Sequence, residues 1–248
     1  MSQIASPQNA RLKAVRRLHA KRERERRGTF IAEGEDLMAA AELAGRPALE
    51  GYRLAGSGLG EDHFFDVERS ALARASTLGS GTRVIGVFAQ RWGTAVGPLC
   101  VYLHGVGDPG NVGTVLRSAQ AFGASCVALG PGCADPHGPK AVRASMGAVF
   151  STALARVEDL AQLPGERIAL DAGAADVLRG PMDPAKGAVT LLVGAERDGL
   201  PAEVRAASDR VARIPIASES LNAAMAATVA LYEMTRDQVG RDRRMRGS

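Results

Sequence analysis

From residue 98 onward, short apolar runs alternate with amphipathic segments, and this alternation limits the fold more than any other feature of the chain. "LCVYLHG", "SCVAL", "RIALDA", "VTLLVGAE" and "RVARIPI" are nearly continuous apolar runs of strand length. Between them lie "NVGTVLRSAQAFG", ended by Gly123, and "KAVRASMG" and "PAEVRAAS", which read as helices; a last helix follows Ser-Leu-Asn. Strands that are apolar on both faces must be covered on both. The pattern therefore predicts an α/β fold with a largely parallel sheet flanked by helices. In such sheets ligands bind at the carboxyl ends of strands. The functional residues are expected in "HGVGDPGN", "GAERDGL" and "PIASESLN".

The first third predicts a separate, small α/β unit. A basic helix over about 11–27 leads into the strand "TFIAE", and Gly34 opens the helix "EDLMAAAELAG". The strand "ALEGYRLAG", the polar stretch "SGLGEDHF", a helix near 68–78 and the strand "TRVIGVFAQ" follow. "RWGTAVGP", with two glycines and a proline, suits a linker. The expected domains are residues 1–94 and 98–248.

The net charge of +4 is unevenly placed. Segment 11–27 holds nine basic and two acidic residues and the tail 241–248 adds +3, which leaves the rest of the chain net acidic. Concentrated basic charge suits a phosphate backbone better than a uniformly basic surface does. Leu12, Val15 and Leu18 form a narrow apolar stripe on which the basic helix can dock while its arginines face outward. No apolar run approaches the length of a membrane span. The N-terminus lacks the apolar core of a signal peptide, so a cytoplasmic protein is expected. Three cysteines without a CxxC pair and four scattered histidines indicate neither a disulfide framework nor a metal site.

"GVGDPG" is a literal G-x-G-x-x-G after a strand and before a helix. Pro109 removes an N–H from any phosphate cradle, and the acid expected after the next strand is missing, so dinucleotide binding is disfavoured. A GxSxG nucleophile elbow is absent. Asn111 at the start of the next helix is expected to cap it. Arg117, six residues on, projects separately about 9 Å along the axis, and its apolar flanks predict a half-buried guanidinium with a partner. Gly194 would let a ligand approach the backbone, Gly199 would permit a turn, and Glu196 lies between them. Ser218 or Ser220 is expected to cap the last helix, whose alanines at 223, 226, 227 and 230 would let it pack closely.

Taken in order, N111-V-G-T-V-L-R117, G194-A-E196-R-D-G199 and I214-P215-I-A-S-E-S220-L221-N222 resemble the three motifs of the SpoU family of RNA ribose 2′-O-methyltransferases. The resemblance spans roughly residues 98–240. "SPQNARLKAVRRL" and "GTFIAEGEDLM" are similar to the ribosomal-protein-like RNA-binding domain that many members carry, and "KAVRASMGAVF" to the stretch between motifs one and two. After Ser-Leu-Asn the chain departs from the family, with Ala223 and Ala224 where a β-branched residue and a serine are common.

The resemblance implies a trefoil-knotted C-terminal domain that binds S-adenosyl-L-methionine against Gly194, Ile214, Ile216 and Leu221. It places Arg117 nearest the ribose 2′-hydroxyl, with Asn111, Glu196, Ser220 and Asn222 orienting it and the cofactor. Arg11, Lys13, Arg16, Arg22 and Arg143 are the residues expected on RNA. A homodimer is implied, formed by the last helix and the motif-one helix, with no metal and no membrane. The extra N-terminal domain leans towards ribosomal RNA. The alternatives are a tRNA methyltransferase, a non-catalytic RNA-binding protein of the same fold, and a nicotinamide-dependent oxidoreductase resting on "GVGDPG" alone.

Overall fold

The computed structural model describes residues 3–78, 81–218 and 220–245, with side chains to residue 237. The side chains of the basic tail 241–248 lie outside the described residues. The chain forms two compact units, Met1–Gln90 with Asp135–Ser151, and Arg91–Ala134 with Thr152–Ser248.

The first unit contains α1 (Ala10–Arg17), α2 (Lys21–Arg27), β1 (Thr29–Glu33), α3 (Glu35–Leu43), β2 (Glu50–Leu54), β3 (Phe65–Val67), α4 (Arg69–Ala75) and β4 (Val84–Ala89). Its sheet runs β1-β4-β2-β3, antiparallel except for the β2–β3 pair. Strand alternation sends Ile31, Tyr52 and Ile85 to one face, where Leu12 and Val15 of α1 and Leu72 of α4 bury against them. Phe30 and Phe88 face the other way. They meet Phe150, with ring centroids 5.8 and 4.8 Å away, on a later segment that supplies α6 (Pro139–Ala144) and α7 (Ala148–Ser151).

The basic helix expected over 11–27 is two helices, because Ala20 is extended (ψ 131°) and ends the first run. Arg24 turns inward to satisfy the carbonyls this break frees, donating from Nη1 to the oxygens of Leu18 and His19, both at 2.8 Å. Its Nε also donates to Asp135 Oδ2 at 2.8 Å, and the side chains of the pair are 5% and 9% exposed. One arginine of a run that looked uniformly solvated is thus the bond that fastens residue 135 to this unit. The three-residue β3 was not expected, being too short to show a period.

The second unit contains β5 (Leu99–Leu103), α5 (Pro109–Ala121), β6 (Cys126–Leu129), β7 (Ala153–Arg156), β8 (Glu166–Leu170), β9 (Val189–Val193), α8 (Ala202–Ala206), β10 (Arg210–Ala212) and α9 (Ala223–Met245). Its six strands run β10-β8-β9-β5-β6-β7, all parallel, and β5 and β9 are buried at every residue. β7 went unrecognised in the sequence because only its two middle residues are buried, as suits an edge strand. The segment expected as a linker covers that edge: Gly93 donates to the Leu154 carbonyl at 2.8 Å, and the Arg156 guanidinium lies 4.2 Å from the centre of the Trp92 ring.

α9 packs on α5 and β9. Its alanines were expected to let it pack closely, and Ala223, Ala227 and Ala230 are buried within their own chain. Small side chains allow the close approach, and Ser118 and Thr228 complete it with a 2.6 Å hydroxyl–hydroxyl bond. Among the described residues, no helix is long and apolar enough to cross a membrane, and no group of three His, Cys, Asp or Glu side chains could hold a metal ion.

Breaking a buried, hydrogen-bonded charge pair costs about 3 kcal/mol or more, because the surviving charge stays unpaired. Arg24→Met should therefore lower the free energy of urea unfolding, followed by circular dichroism, by about that amount. Arg22→Met, at an exposed position, should change it by less than about 0.5 kcal/mol.

Candidate functional site

The site is built where two helices begin and one strand ends. Pro109 sits in the first turn of α5 and favours an extended residue before it, which makes Asp108 the cap. The Asp108 carboxylate accepts the Asn111 backbone N–H at 3.0 Å. Asn111 was expected to cap the helix; it stands inside the first turn instead, with its side chain free for longer-range bonds. Its Nδ2 donates to Glu196 Oε1, and its Oδ1 accepts from Asn222 Nδ2 at 3.1 Å.

Asn222 in turn caps α9. Its Oδ1 accepts the backbone N–H groups of Ala224 and Met225 at 2.9 and 3.3 Å. Ser218 and Ser220 do not take this part; Ser218 Oγ donates to the Ser220 carbonyl at 3.3 Å. The caps of both helices are thus one residue type removed from expectation, because the cap is decided by which side chain stands beside the first free N–H groups.

Glu196 projects from a tight turn after β9. Ala195 and Gly199 exchange both backbone hydrogen bonds, at 3.2 and 3.0 Å, and Gly199 has φ 63° as the turn requires. Gly194 is needed for a reason inside the chain: a Cβ there would overlap the backbone of Gly199 and Leu200.

Beside this turn lies a cavity of about 360 Å³. Leu170, Val193, Ile214, Ile216 and Leu221 give it apolar walls, and Gly194, Glu196 and Ser220 also line it. Two further lining residues, Asp171 and Arg205, were not singled out in the sequence, although an acid directly after the apolar run in "RIALDA" is a strand-end signal. They form an ion pair at 2.6 Å. The Gly173 N–H and then the Arg205 guanidinium hold the Asp171 carboxyl below the usual carboxylate range.

Arg117 stands apart from this cavity on the exposed face of α5, with Thr114 and Gln120. It was expected half-buried with a partner; its flanks Val115, Leu116 and Ala119 take the buried face, and no carboxylate among the described residues pairs with it. In the first unit Lys13, Arg22 and Arg143 are exposed. Arg11 is bound to Glu50 and lies 4.3 Å from the centre of the Phe65 ring, and Arg16 donates to the Pro7 carbonyl at 2.9 Å.

Residues 98–232 match the family described as the SpoU rRNA Methylase family. A 23S rRNA (guanosine(2553)-2'-O)-methyltransferase of Bacillus subtilis, RlmP, is 30% identical over 94% of this chain and 99% of its own length. The fold is similar to that of an AdoMet-bound rRNA methyltransferase from Sinorhizobium meliloti, with a TM-score of 0.83, 29% identity, and coverage of 96% of this chain and 98% of that one. It is also similar to the SpoU methyltransferase AviRb from Streptomyces viridochromogenes in complex with AdoMet, with a TM-score of 0.81, 26% identity, and coverage of 94% and 98%. With its motifs joined in space by hydrogen bonds and a relative matched along nearly its whole length, the chain belongs to the SpoU rRNA methylase family.

Proposed function

We propose that the protein transfers a methyl group from S-adenosyl-L-methionine to a ribose 2′-hydroxyl of ribosomal RNA. The supporting observation is the hydrogen-bonded chain Asn222–Asn111–Glu196, which gathers three segments far apart in sequence at the edge of one cavity. The names of the relatives from Bacillus subtilis and Sinorhizobium meliloti favour ribosomal RNA over tRNA.

The residues present fit the cofactor. A cavity of about 360 Å³ lies in the range of small-molecule sites, and its apolar walls suit a purine ring. Gly194, Ile214, Ile216 and Leu221 would hold the donor, with Ser220 beside them. When bound, S-adenosylmethionine supplies an activated methyl group on a sulfonium that is itself a good leaving group. What remains for the protein is to position the hydroxyl and to favour charge on its oxygen. Arginine stays protonated at any ordinary pH, so Arg117 acts as a cation: it holds the neighbouring phosphate and stabilises the developing alkoxide. Asn111, Glu196 and Asn222 fix the start of the helix that carries it.

Lys13, Arg22 and Arg143, with Arg11 and Arg16, contribute phosphate contacts to RNA in this reading, which makes binding weaken with salt. The same reading includes a trefoil knot in the second unit, a cytoplasmic location and a homodimer. Support for the dimer comes from α9, whose outward face carries Met225, Val229 and Tyr232, 57%, 41% and 54% exposed, at helical spacing. Phe122, which caps the end of α5, meets the Tyr232 ring edge-on at 6.2 Å, so both helices border that apolar stripe.

Transfer of tritium from labelled S-adenosylmethionine to ribosomal RNA, and mapping of 2′-O-methyl sites in RNA from cells with and without the gene, test the proposal. Labelled tRNA in place of rRNA would overturn the substrate, and failure to bind the cofactor would leave a non-catalytic RNA-binding protein. Arg117→Ala should reduce methyl transfer by at least about 100-fold, while titration calorimetry shows cofactor affinity within about twofold of wild type. A charge inside an apolar interface opposes association. Val229→Asp is accordingly expected to shift the protein from dimer to monomer in light scattering coupled to gel filtration.

A further inference from the structure

We infer that the Asp171–Arg205 ion pair reads the hydrogen-bonding edge of the cofactor's base, which makes these two side chains specificity-determining residues of the methyl-donor cavity. The inference rests on the function proposed above, since it assigns a part of that same cavity. Asp171 directly follows β8 and Arg205 lies on α8; both line the cavity bounded by Ile214, Ile216 and Leu221.

Arg205 Nη1 donates to Asp171 Oδ2 at 2.6 Å, and Asp171 Oδ1 accepts the Gly173 N–H at 2.7 Å. One bond engages one of the five guanidinium donors, and each carboxylate oxygen keeps a second lone pair. The pair therefore presents a fixed acceptor beside a fixed donor. The N6/N7 edge of adenine carries the complementary order, an exocyclic amino donor beside a ring-nitrogen acceptor, whereas the same edge of a 6-oxo purine presents two acceptors. Because the Asp171 carboxyl is held below the usual range, it remains an acceptor at neutral pH.

Position within the cavity agrees with this assignment. The reacting end of the donor must face Glu196 and its partners Asn111 and Asn222. β8 and α8 carry none of those three residues, so the ion pair serves another part of the ligand. Leu170 immediately before Asp171, and Leu200 just before α8, set apolar surface beside the charges, as a planar ring stacked next to its own polar edge requires. A brace for α8 is a weaker account, because side chains 44% and 22% exposed contribute little as an ion pair alone.

Titration calorimetry on the full chain with S-adenosylhomocysteine and with its 6-oxo analogue, S-inosylhomocysteine, separates the two accounts. A site built to bond a polar edge rejects the wrong one strongly, so wild type should prefer the adenosyl ligand by at least about 30-fold. Asp171→Asn offers a donor where adenine needs an acceptor. It should weaken the adenosyl ligand about tenfold, leave the inosyl ligand within about threefold, and so collapse the ratio. Arg205→Met should also lower the ratio, which keeps the test decisive should Asp171→Asn fold poorly. Parallel losses for both ligands with the ratio preserved, or a wild type without preference, would overturn the inference. A wild type that binds neither ligand would overturn the methyltransferase proposal itself, and this inference with it.

Discussion

The second unit depends on the side-chain amide of Asn111. It donates to Glu196 and accepts from Asn222, so one residue ties the start of α5 to the turn after β9 and to the start of α9. A side-chain amide does both at once from two separate atoms, its nitrogen donating and its oxygen accepting. A carboxylate of the same shape would have nothing to donate to Glu196 and would set two like charges against each other; a leucine would leave both partners unbonded. The arrangement also requires that Asn111 be released from capping, which Asp108 and Pro109 achieve one turn earlier. A local choice at the helix start thus decides whether the three segments can meet.

Much of this was legible in the chain. The alternation of apolar runs and helices after residue 98 corresponds to a parallel sheet whose central strands β5 and β9 are wholly buried. The motif segments were legible because glycine, asparagine and serine at strand ends have few structural reasons to recur in order. What was not legible was the choice among neighbouring polar groups. Asp108 rather than Asn111 caps α5, and Asn222 rather than Ser218 or Ser220 caps α9. Composition makes each candidate equally fit; only the backbone path selects one. Likewise β3 and β7 carry too few buried residues to register as periodic. Asp171 and Arg205 each look like ordinary surface charges until the fold sets them 2.6 Å apart.

The basic N-terminal segment shows how net charge conceals position. Nine basic residues in 11–27 look alike on paper. In the fold Arg24 is buried against Asp135, Arg11 is bound to Glu50, Arg16 holds a carbonyl, and Lys13 and Arg22 face solvent. The inward arginine carries the structural weight, because a buried charge without its partner is costly while an exposed one is nearly free to change. The run breaks into two helices at the place where Arg24 can reach back to the Leu18 and His19 carbonyls. The positive charge this segment leaves unengaged is therefore smaller than the charge count suggests, and it is set by which residues the fold draws into its own bonds.

α9 joins the remaining features. Its first turn is capped by Asn222, so the residue that starts the helix is also a member of the hydrogen-bonded chain. Its alanine face lies against α5, and the Ser118–Thr228 bond fixes the register between the two helices. Its outward face is apolar, and it borders the helix from which Arg117 projects. A displacement of α9 would be felt by its cap and hence by Asn111 and Glu196; a body seated on its outer face would also stand near the exposed side of α5. Packing, capping and the presentation of Arg117 are therefore coupled through one helix, and this explains physically why the small residues of α9 matter as much as the polar residues that precede them.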